Sequence, residues 1–312
     1  MEYREFAARL LEKDGFLILS HKNPDGDTLG SGAALCSALR RMGKTAYFYR
    51  NEQITPRTEG YVTPYFVCQG FEPSAVIAVD IATPDLFPKG YEGTADFCID
   101  HHPTNSGYAG LTLLHDEKSS CGEAILDLIE TMTGSVTKEE ATLLFIALTT
   151  DTGCFQYMNT NADTMRCAAR LIDLGADQHK IVHDFFRKVS PARLKLEGMI
   201  YSSMRFYRND SIVTALITQQ MLKDAGTTEN DLDDLAGLPG RAEGGDLTIL
   251  IRELPDGRSK CSLRSTPRVD SSAICAVYGG GGHHMAAGVT MDCAPHEAER
   301  LLLAAAEQGM PQ

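Results

Sequence analysis

No apolar run in this chain approaches the roughly 20 residues that a membrane-spanning helix needs, so a soluble protein is expected. The first residues, "MEYREFAARLLEKDG", are charged and follow a helical pattern, and they lack the apolar centre of a secretory signal. Paired cysteine motifs are missing too. Nine cysteines are present, none in a CxxC spacing, and several sit inside apolar segments such as "ADFCID" and "SSAICAVY". That speaks against a disulfide framework and for buried thiols in a reducing, cytoplasmic compartment. Positive charge is also in short supply. Lys and Arg number 29 against 42 Asp and Glu, a net charge of −13. A long nucleic acid is a polyanion whose non-specific binding needs a basic surface, so neither it nor a membrane is an expected partner. An anionic substrate would depend on local metals and a few Arg and His residues working against the global field. No internal repeat or low-complexity tract stands out beyond four glycines at 279–282.

What is present suits two domains in 312 residues. Short apolar runs without alternation, "FLILS" (16–20), "AYFY" (46–49), "AVIAVD" (75–80) and "DFCID" (96–100), read as strands of a mostly parallel sheet buried on both faces and flanked by helices. A helix is expected from Thr28 to Met42, stopped by Gly43. Ser120-x-x-Glu123 and Thr137-x-x-Glu140 are capping-box signatures. Further helices are expected over 162–174, over 178–187 and from Pro191 to about Tyr207, with Ser190 as N-cap. After that the texture changes. "SIVTALIT" (211–218) reads as a strand, and "LTILIRE" and "SKCSLRS" around Pro255-Asp256-Gly257 read as a hairpin. A helix from Asp270, the glycine run, a short strand "GVTM" and a last helix follow. The expected class is α/β: a larger domain at 1–187, a helical linker at 188–208, and a smaller α/β domain with a hairpin-containing sheet at 209–312.

Chemistry concentrates at element ends. "LILSHKNPDGDTLGSG" places His21, Asp25 and Asp27 where a strand hands over to a helix. Asp80 and Asp100 end two other strands, His101 and His102 follow at once, and Asp151 ends an apolar helix. Ligands of open α/β sheets bind at the carboxyl ends of the strands. Any one of these residues has an ordinary explanation: a lone Asp after a strand is commonly an N-cap or turn residue, as Asp27 would be. Five acids and three histidines at element ends do not. Clustered carboxylates raise one another's pKa unless a cation intervenes, and two divalent metals would resolve the conflict. Mixed imidazole and carboxylate ligands suit Mn²⁺, Fe²⁺ or Zn²⁺ better than Ca²⁺.

These motifs resemble a known family. "SHKNPDGD", Asp80 in "AVIAVD", "DHHPTN" and "TTDTGCF" are similar, in order, to the four motifs of the DHH phosphoesterases. "GGGGHHMAAG" (279–288) resembles the glycine-histidine signature of the DHH-associated C-terminal domain. The two-domain length is similar to the NrnA-like nanoRNase and pAp-phosphatase group; RecJ-like exonucleases are larger, and membrane-attached cyclic-di-AMP phosphodiesterases carry extra N-terminal parts. The resemblance implies two divalent ions, Mn²⁺ foremost. His21 and Asp25 would hold one, Asp27, His101 and Asp151 the other, and Asp80 would bridge them. His102 would face the phosphate, and Asp100 would orient a histidine ring.

The implied reaction is attack by a metal-activated hydroxide on short oligonucleotides or on the 3′-phosphate of pAp. A cyclic- or linear-dinucleotide phosphodiesterase (cyclic di-AMP, pApA) is the rival on the same site, and a non-catalytic nucleotide-binding protein the more distant one. In the second domain Gly280, Gly281, Gly282 and His283 match the family's loop, while Arg252 and Arg264 lie on the hairpin within reach of an anion. His284 and Arg268 are weaker candidates, and Tyr278 and Tyr157 are candidates for base stacking. The segment 51–70 has no assigned role, and the sequence leaves the oligomeric state, homodimer included, open.

Overall fold

The elements follow the sequence pattern closely enough that their ends carry the interest. The computed structural model describes residues 1–68, 70–227, 231–232 and 235–309, without the side chains of the last two. The first part runs α1 (Tyr3–Leu11), β1 (Phe16–Leu19), α2 (Gly26–Arg41), β2 (Ala46–Phe48), α3 (Pro56–Val62), β3 (Ala75–Val79), β4 (Phe97–Asp100), β5 (Leu111–Leu114), α4 (Cys121–Thr133), α5 (Lys138–Asp151), α6 (Ala162–Asp173) and α7 (Gln178–Val182). Its five strands are all parallel, in the order β2-β1-β3-β4-β5. Chain direction across the sheet reverses at β1, between β2 and β3, which is where a doubly wound sheet opens a crevice at its carboxyl edge. One face packs α1, α2, α4 and α5 over Phe16, Ile18, Ile77 and Ile99. The other buries Leu17, Leu19, Ala78 and Cys98 under an aromatic layer that includes Phe87, Tyr91 and Tyr108.

Helix starts show which local signals operate. Thr137 forms a complete capping box with Glu140. Ser120 accepts from the Glu123 amide, but the Glu123 carboxylate turns to Ser119 instead, so that box is half made. Gly43, at φ +80°, stops α2 in the left-handed conformation that glycine tolerates.

The second part comprises α8 (Pro191–Ser203), β6 (Arg205–Tyr207), β7 (Ile212–Ile217), α9 (Gln219–Ala225), β8 (Leu247–Glu253), β9 (Ser259–Ser265), α10 (Ser271–Ala276), β10 (Gly281–His283), β11 (Ala286–Met291) and α11 (Pro295–Gly309). The chain divides into compact units at Lys188 and Val189. The helix from Pro191 ends at Ser203, not near Tyr207, because 205–207 pairs with β7 as strand β6. The segment offered as a linker supplies Leu196 and Ile200 to the second unit's core. The second sheet has the order β10-β11-β9-β8-β7-β6, with only β7 and β8 parallel. Its glycine run is not a free loop: Gly281–His283 pairs antiparallel with Ala286–Gly288. All nine cysteines are free thiols; Cys36, Cys98, Cys121, Cys261 and Cys275 are buried, whereas Cys68 is exposed and the other three lie between. Among the described residues no helix is long and apolar enough to cross a membrane.

Candidate metal centre

The handover from β1 to α2 is capped by Asp25, not Asp27. Asp25 Oδ1 accepts from the amides of Asp27 (2.9 Å) and Thr28 (3.2 Å), so the helix begins at Gly26, two residues before the expected start. Asp27, released from capping, points inward and is fully buried. Its carboxylate accepts from the Cys121 and Gly122 amides at the start of α4 (2.8 and 3.0 Å) and from Ser31 Oγ (3.0 Å). A helix N-terminus favours an anion there.

Two glycines let α2 and α5 meet backbone to backbone. A Cβ at Gly30 would lie 2.3 Å from the Leu143 carbonyl oxygen, and one at Gly26 2.5 Å from the Thr150 side chain. That approach brings Asp151, the last residue of α5, to the same pocket. A carboxylate at a helix C-terminus faces the negative end of the dipole, so nothing in α5 itself stabilises its charge.

Asp80 follows β3 at φ +61°, a left-handed backbone that costs a non-glycine residue roughly 1–3 kcal/mol. The Asp80 amide donates to the Ile99 carbonyl (2.9 Å), which holds that turn against β4. The Asp80 side chain is only 3% exposed, and its Oδ1 is buried without a hydrogen-bond partner.

Each histidine is oriented by its rear nitrogen. His21 Nδ1 lies 2.7 Å from the Lys22 carbonyl, and His101 Nδ1 3.2 Å from the Lys118 carbonyl. A carbonyl can only accept, so both Nδ1 atoms carry a proton, and in the neutral ring the Nε2 lone pair faces the acids. His21 Nε2 is 3.6 Å from Asp25 Oδ1 and 3.7 Å from Asp80 Oδ2. His101 Nε2 is 3.5 Å from Asp80 Oδ1 and 3.7 Å from both Asp27 Oδ2 and Asp151 Oδ2. Asp80 thus turns one oxygen toward each histidine. The ligand atoms of His21, Asp25 and Asp80, and those of Asp27, His101 and Asp151, form two groups compact enough to surround an ion each.

A third such group contains Asp80, His101 and His102. His102 approaches Asp80 with Nδ1 (3.5 Å), yet that nitrogen already bonds Asp100 Oδ1 at 2.8 Å. Asp100 is wholly buried and also accepts from the His101 and His102 amides and, through Oδ2, from Asn105 Nδ2 (2.6 Å). Burial works against its charge, but the bonds from His102 and Asn105 hold Asp100 below the usual carboxylate range. The same hydrogen bond raises the His102 pKa above that of an ordinary imidazole, against the cost of burial.

The electrostatics call for cations. Burial, then the neighbouring carboxylates, push Asp27 and Asp80 well above the usual range. Burial also raises Asp151, with His101 opposing. Two nearly solvent-free acids with raised pKa, one carrying an orphaned oxygen, and two imidazoles presenting lone pairs are a donor set that fits divalent metal.

In the second unit, strand alternation decides which candidates meet. Lys260, Ser262 and Arg264 alternate with the buried Ser259, Cys261 and Leu263 on β9. The register sets Arg264 opposite Ala286, Ser262 opposite Gly288 and Lys260 opposite Thr290, while Arg252 faces Lys260 and His283 faces Ala286. Cross-strand partners share a face, so Arg252, Arg264, Gly281 and His283 lie on one side of the sheet. Over β7 and β8 that side is covered by the core containing Leu196, Ile200 and Leu250; over β9 and β11, Lys260, Arg264, Gly288 and Thr290 are exposed.

The glycines of the run differ in role. A Cβ at Gly280 would sit 2.5 Å from the Gly288 carbonyl oxygen, and one at Gly282, at φ +148°, 2.5 Å from that of Ala286. Gly281 meets nothing within 4 Å. The weaker candidates are engaged elsewhere. His284 contacts the Pro267 carbonyl and Asp270, Arg268 lies 3.8 Å from Asp246, and the Tyr278 hydroxyl donates to the Leu301 carbonyl. Tyr157 is 59% exposed.

Sequence reasoning missed Asn105, although it stands inside "DHHPTN", and Lys260, which the i, i+2, i+4 pattern of "SKCSLRS" would have found. The Lys118 carbonyl behind His101 had no signal, because any residue type supplies a carbonyl.

Comparisons with known proteins identify the family. Residues 15–148 match the "DHH family, N-terminal domain" model and residues 209–310 the "DHHA1 domain" model. The chain is 32% identical over 280 residues to the bifunctional oligoribonuclease and PAP phosphatase NrnA of Thermus thermophilus, covering 88% of this chain and 83% of that one. It is 25% identical over 295 residues to the Bacillus subtilis protein of the same name, covering 93% of each. The crystal structure of an exopolyphosphatase-related protein from Bacteroides fragilis shares the fold, with a TM-score of 0.86 at 23% identity over 98% of this chain and 96% of that one. With both domain models matched in order and an NrnA relative aligned across most of its length, the chain belongs to the DHH phosphoesterase family, in the form that carries a DHHA1 domain.

Proposed function

We propose that this chain is a metal-dependent phosphohydrolase that degrades short oligonucleotides and removes the 3′-phosphate of pAp, the activities named for its Thermus and Bacillus relatives. The observation that carries the reading is Asp80, buried, with one oxygen toward His21 and the other toward His101. His21, Asp25 and Asp80 would hold one divalent ion, and Asp27, His101, Asp151 and Asp80 a second; such mixed donors suit Mn²⁺, Fe²⁺ or Zn²⁺, of which the family resemblance favours Mn²⁺. When bound, such ions lower the pKa of water and take up charge developing on phosphate oxygens.

The chain's own residues account for the rest. Asp100 fixes the His102 ring through Nδ1 and raises its pKa, and the ring, 43% exposed, would donate to the leaving oxygen in its protonated form. The Asn105 amide fixes Asp100 in turn. Arg264, His283 and the flat glycine strand, with Arg252 on the same face, supply contacts to the nucleotide. The free thiols are in keeping with a reducing, cytoplasmic setting.

The test is a substrate panel with Mn²⁺ and with EDTA: pAp, pApA, cyclic di-AMP, and oligonucleotides of rising length. Turnover of pAp and short fragments, lost in EDTA, is expected. With a net charge of −13 and few basic contacts, kcat/KM should fall steeply between fragments of two to five nucleotides and strands of roughly twenty or more. Equal degradation of long and short strands would overturn that part of the reading, and preference for cyclic di-AMP would favour the rival phosphodiesterase.

A further inference from the structure

A cavity of about 440 Å³ opens in the segment for which the sequence offers no role, lined by Arg50, Asn51, Glu52, Ile54, Glu59 and Phe66. Its floor is fastened to the strand end that supplies His21. The buried Asn51 side chain donates to the His21 carbonyl (3.0 Å) and to Ser20 Oγ (3.2 Å), and accepts from the Gln53 amide (2.9 Å). The side-chain amides of Gln53 and Asn23 pair with each other, tying this loop to the one between His21 and Asp25.

Arg50 is exposed, with its guanidinium carbon 5.8 Å from the Phe66 ring centroid. It makes no ion pair among the described residues, although Glu52 and Glu59 line the same cavity. A cation over an aromatic ring, an apolar wall from Ile54 and Phe66, and two carboxylates able to accept from amino or hydroxyl groups form a chemistry that recognises a nucleoside next to a single phosphate. A polyphosphate would be repelled by the two glutamates.

We propose that this cavity receives the nucleoside adjoining the phosphate to be cleaved: the base rests against Phe66 and Ile54, Glu52 and Glu59 accept from its amino edge or the ribose hydroxyls, and Arg50 meets the linking phosphate. The inference rests on the phosphohydrolase reading and adds a subsite to it.

The experiment compares the full-length wild type, Arg50→Ala, Arg50→Lys and Phe66→Leu with Mn²⁺ on pApA and on bis(p-nitrophenyl) phosphate, which has no nucleoside. A parallel measurement takes the Kd of a phosphorothioate-linked adenosine dinucleotide. Arg50→Ala should raise KM for pApA about tenfold more than KM for the nitrophenyl ester, and raise the dinucleotide Kd about as much. Arg50→Lys should recover part of the loss, and Phe66→Leu should act in the same sense as Arg50→Ala. Equal KM changes for the two substrates, or an unchanged dinucleotide Kd, would overturn the subsite. A wild type that binds the dinucleotide with this Arg50 dependence but hydrolyses neither ester would leave the subsite standing and defeat the hydrolase reading.

Discussion

The acidic centre and the glycine face achieve their shapes in opposite ways. In the first unit most of the converging side chains are held from behind: Asp25 and Asp27 by backbone amides, His21 and His101 by carbonyls, His102 by Asp100, and Asp100 by Asn105. Asp80 is the exception, with Oδ1 unbonded. In the second unit the strand pairing aligns residues such as Lys260, Arg264 and His283 whose side chains are exposed, and among the described residues the Arg264 guanidinium bonds only its neighbour's carbonyl, that of Leu263 (2.9 Å). Like charges packed in a low-dielectric pocket need rigid supports, whereas a face that meets a variable ligand needs flatness and access. Damage to the first region should therefore appear in turnover, and damage to the second in affinity.

The largest effect is expected where one atom pair serves both halves of the centre. Asp80→Ala should reduce turnover by more than the roughly 10–100-fold typical of losing a residue that only orients a ligand. The fold should survive, because removing one carboxylate from a crowded set relieves repulsion. Near-normal metal-dependent activity in this variant would break the bridging assignment.

Next is His102→Ala. Its Nδ1 is committed to Asp100, so metal content should be unchanged while kcat falls by about 10²–10⁴-fold. Metal analysis showing one ion lost per chain would make His102 a ligand and erase the distinction between holding and donating. In the second unit the expected sign is different: Arg264→Ala should raise KM for pAp by about tenfold with kcat little changed. A fall in kcat at constant KM would mean that the glycine face takes part in the chemistry.

How much of this was legible in the sequence follows from the range of the forces involved. Alternating "SKCSLRS" and unbroken "AVIAV" fix strands locally, and side chains at strand ends announce the centre, because their types are rare in such places. Residue type alone leaves open which of Asp25 and Asp27 caps the helix, because both are good caps; Asp27 instead meets the amides of Cys121 and Gly122, more than 90 residues away. Residues 205–207 were read as helix because their strand partner lies beyond a turn whose three left-handed residues, Arg208, Asn209 and Asp210, include two of the types most tolerant of that conformation. The pairing of the glycine run with β11 was hidden for a similar reason, since glycine carries no propensity to pair.

The smallest effect separates the two regions by stability. With metal removed, burial and mutual repulsion hold the folded-state pKa of Asp27 and Asp80 above the unfolded value of an ordinary carboxylate. Between those two values the folded protein binds protons that the unfolded chain has released, so stability is greatest below the unfolded pKa and falls as pH rises. His21 and His102, whose folded pKa is also raised, contribute in the same direction: their stabilisation is full below the unfolded imidazole pKa and is lost as pH rises through the folded one. Asp25 and Asp100, with lowered pKa, lose their contribution only at more acid pH. The metal-free protein should therefore melt a few degrees lower at about pH 8 than at about pH 5. Divalent metal needs deprotonated ligands, so the rise in Tm on adding Mn²⁺ should grow over the same interval. Asp80→Asn should flatten the metal-free slope, and Arg264→Ala should leave it as it is. A metal-free Tm that rises from pH 5 to 8 would show that the acids of the centre are not the strained element of this fold.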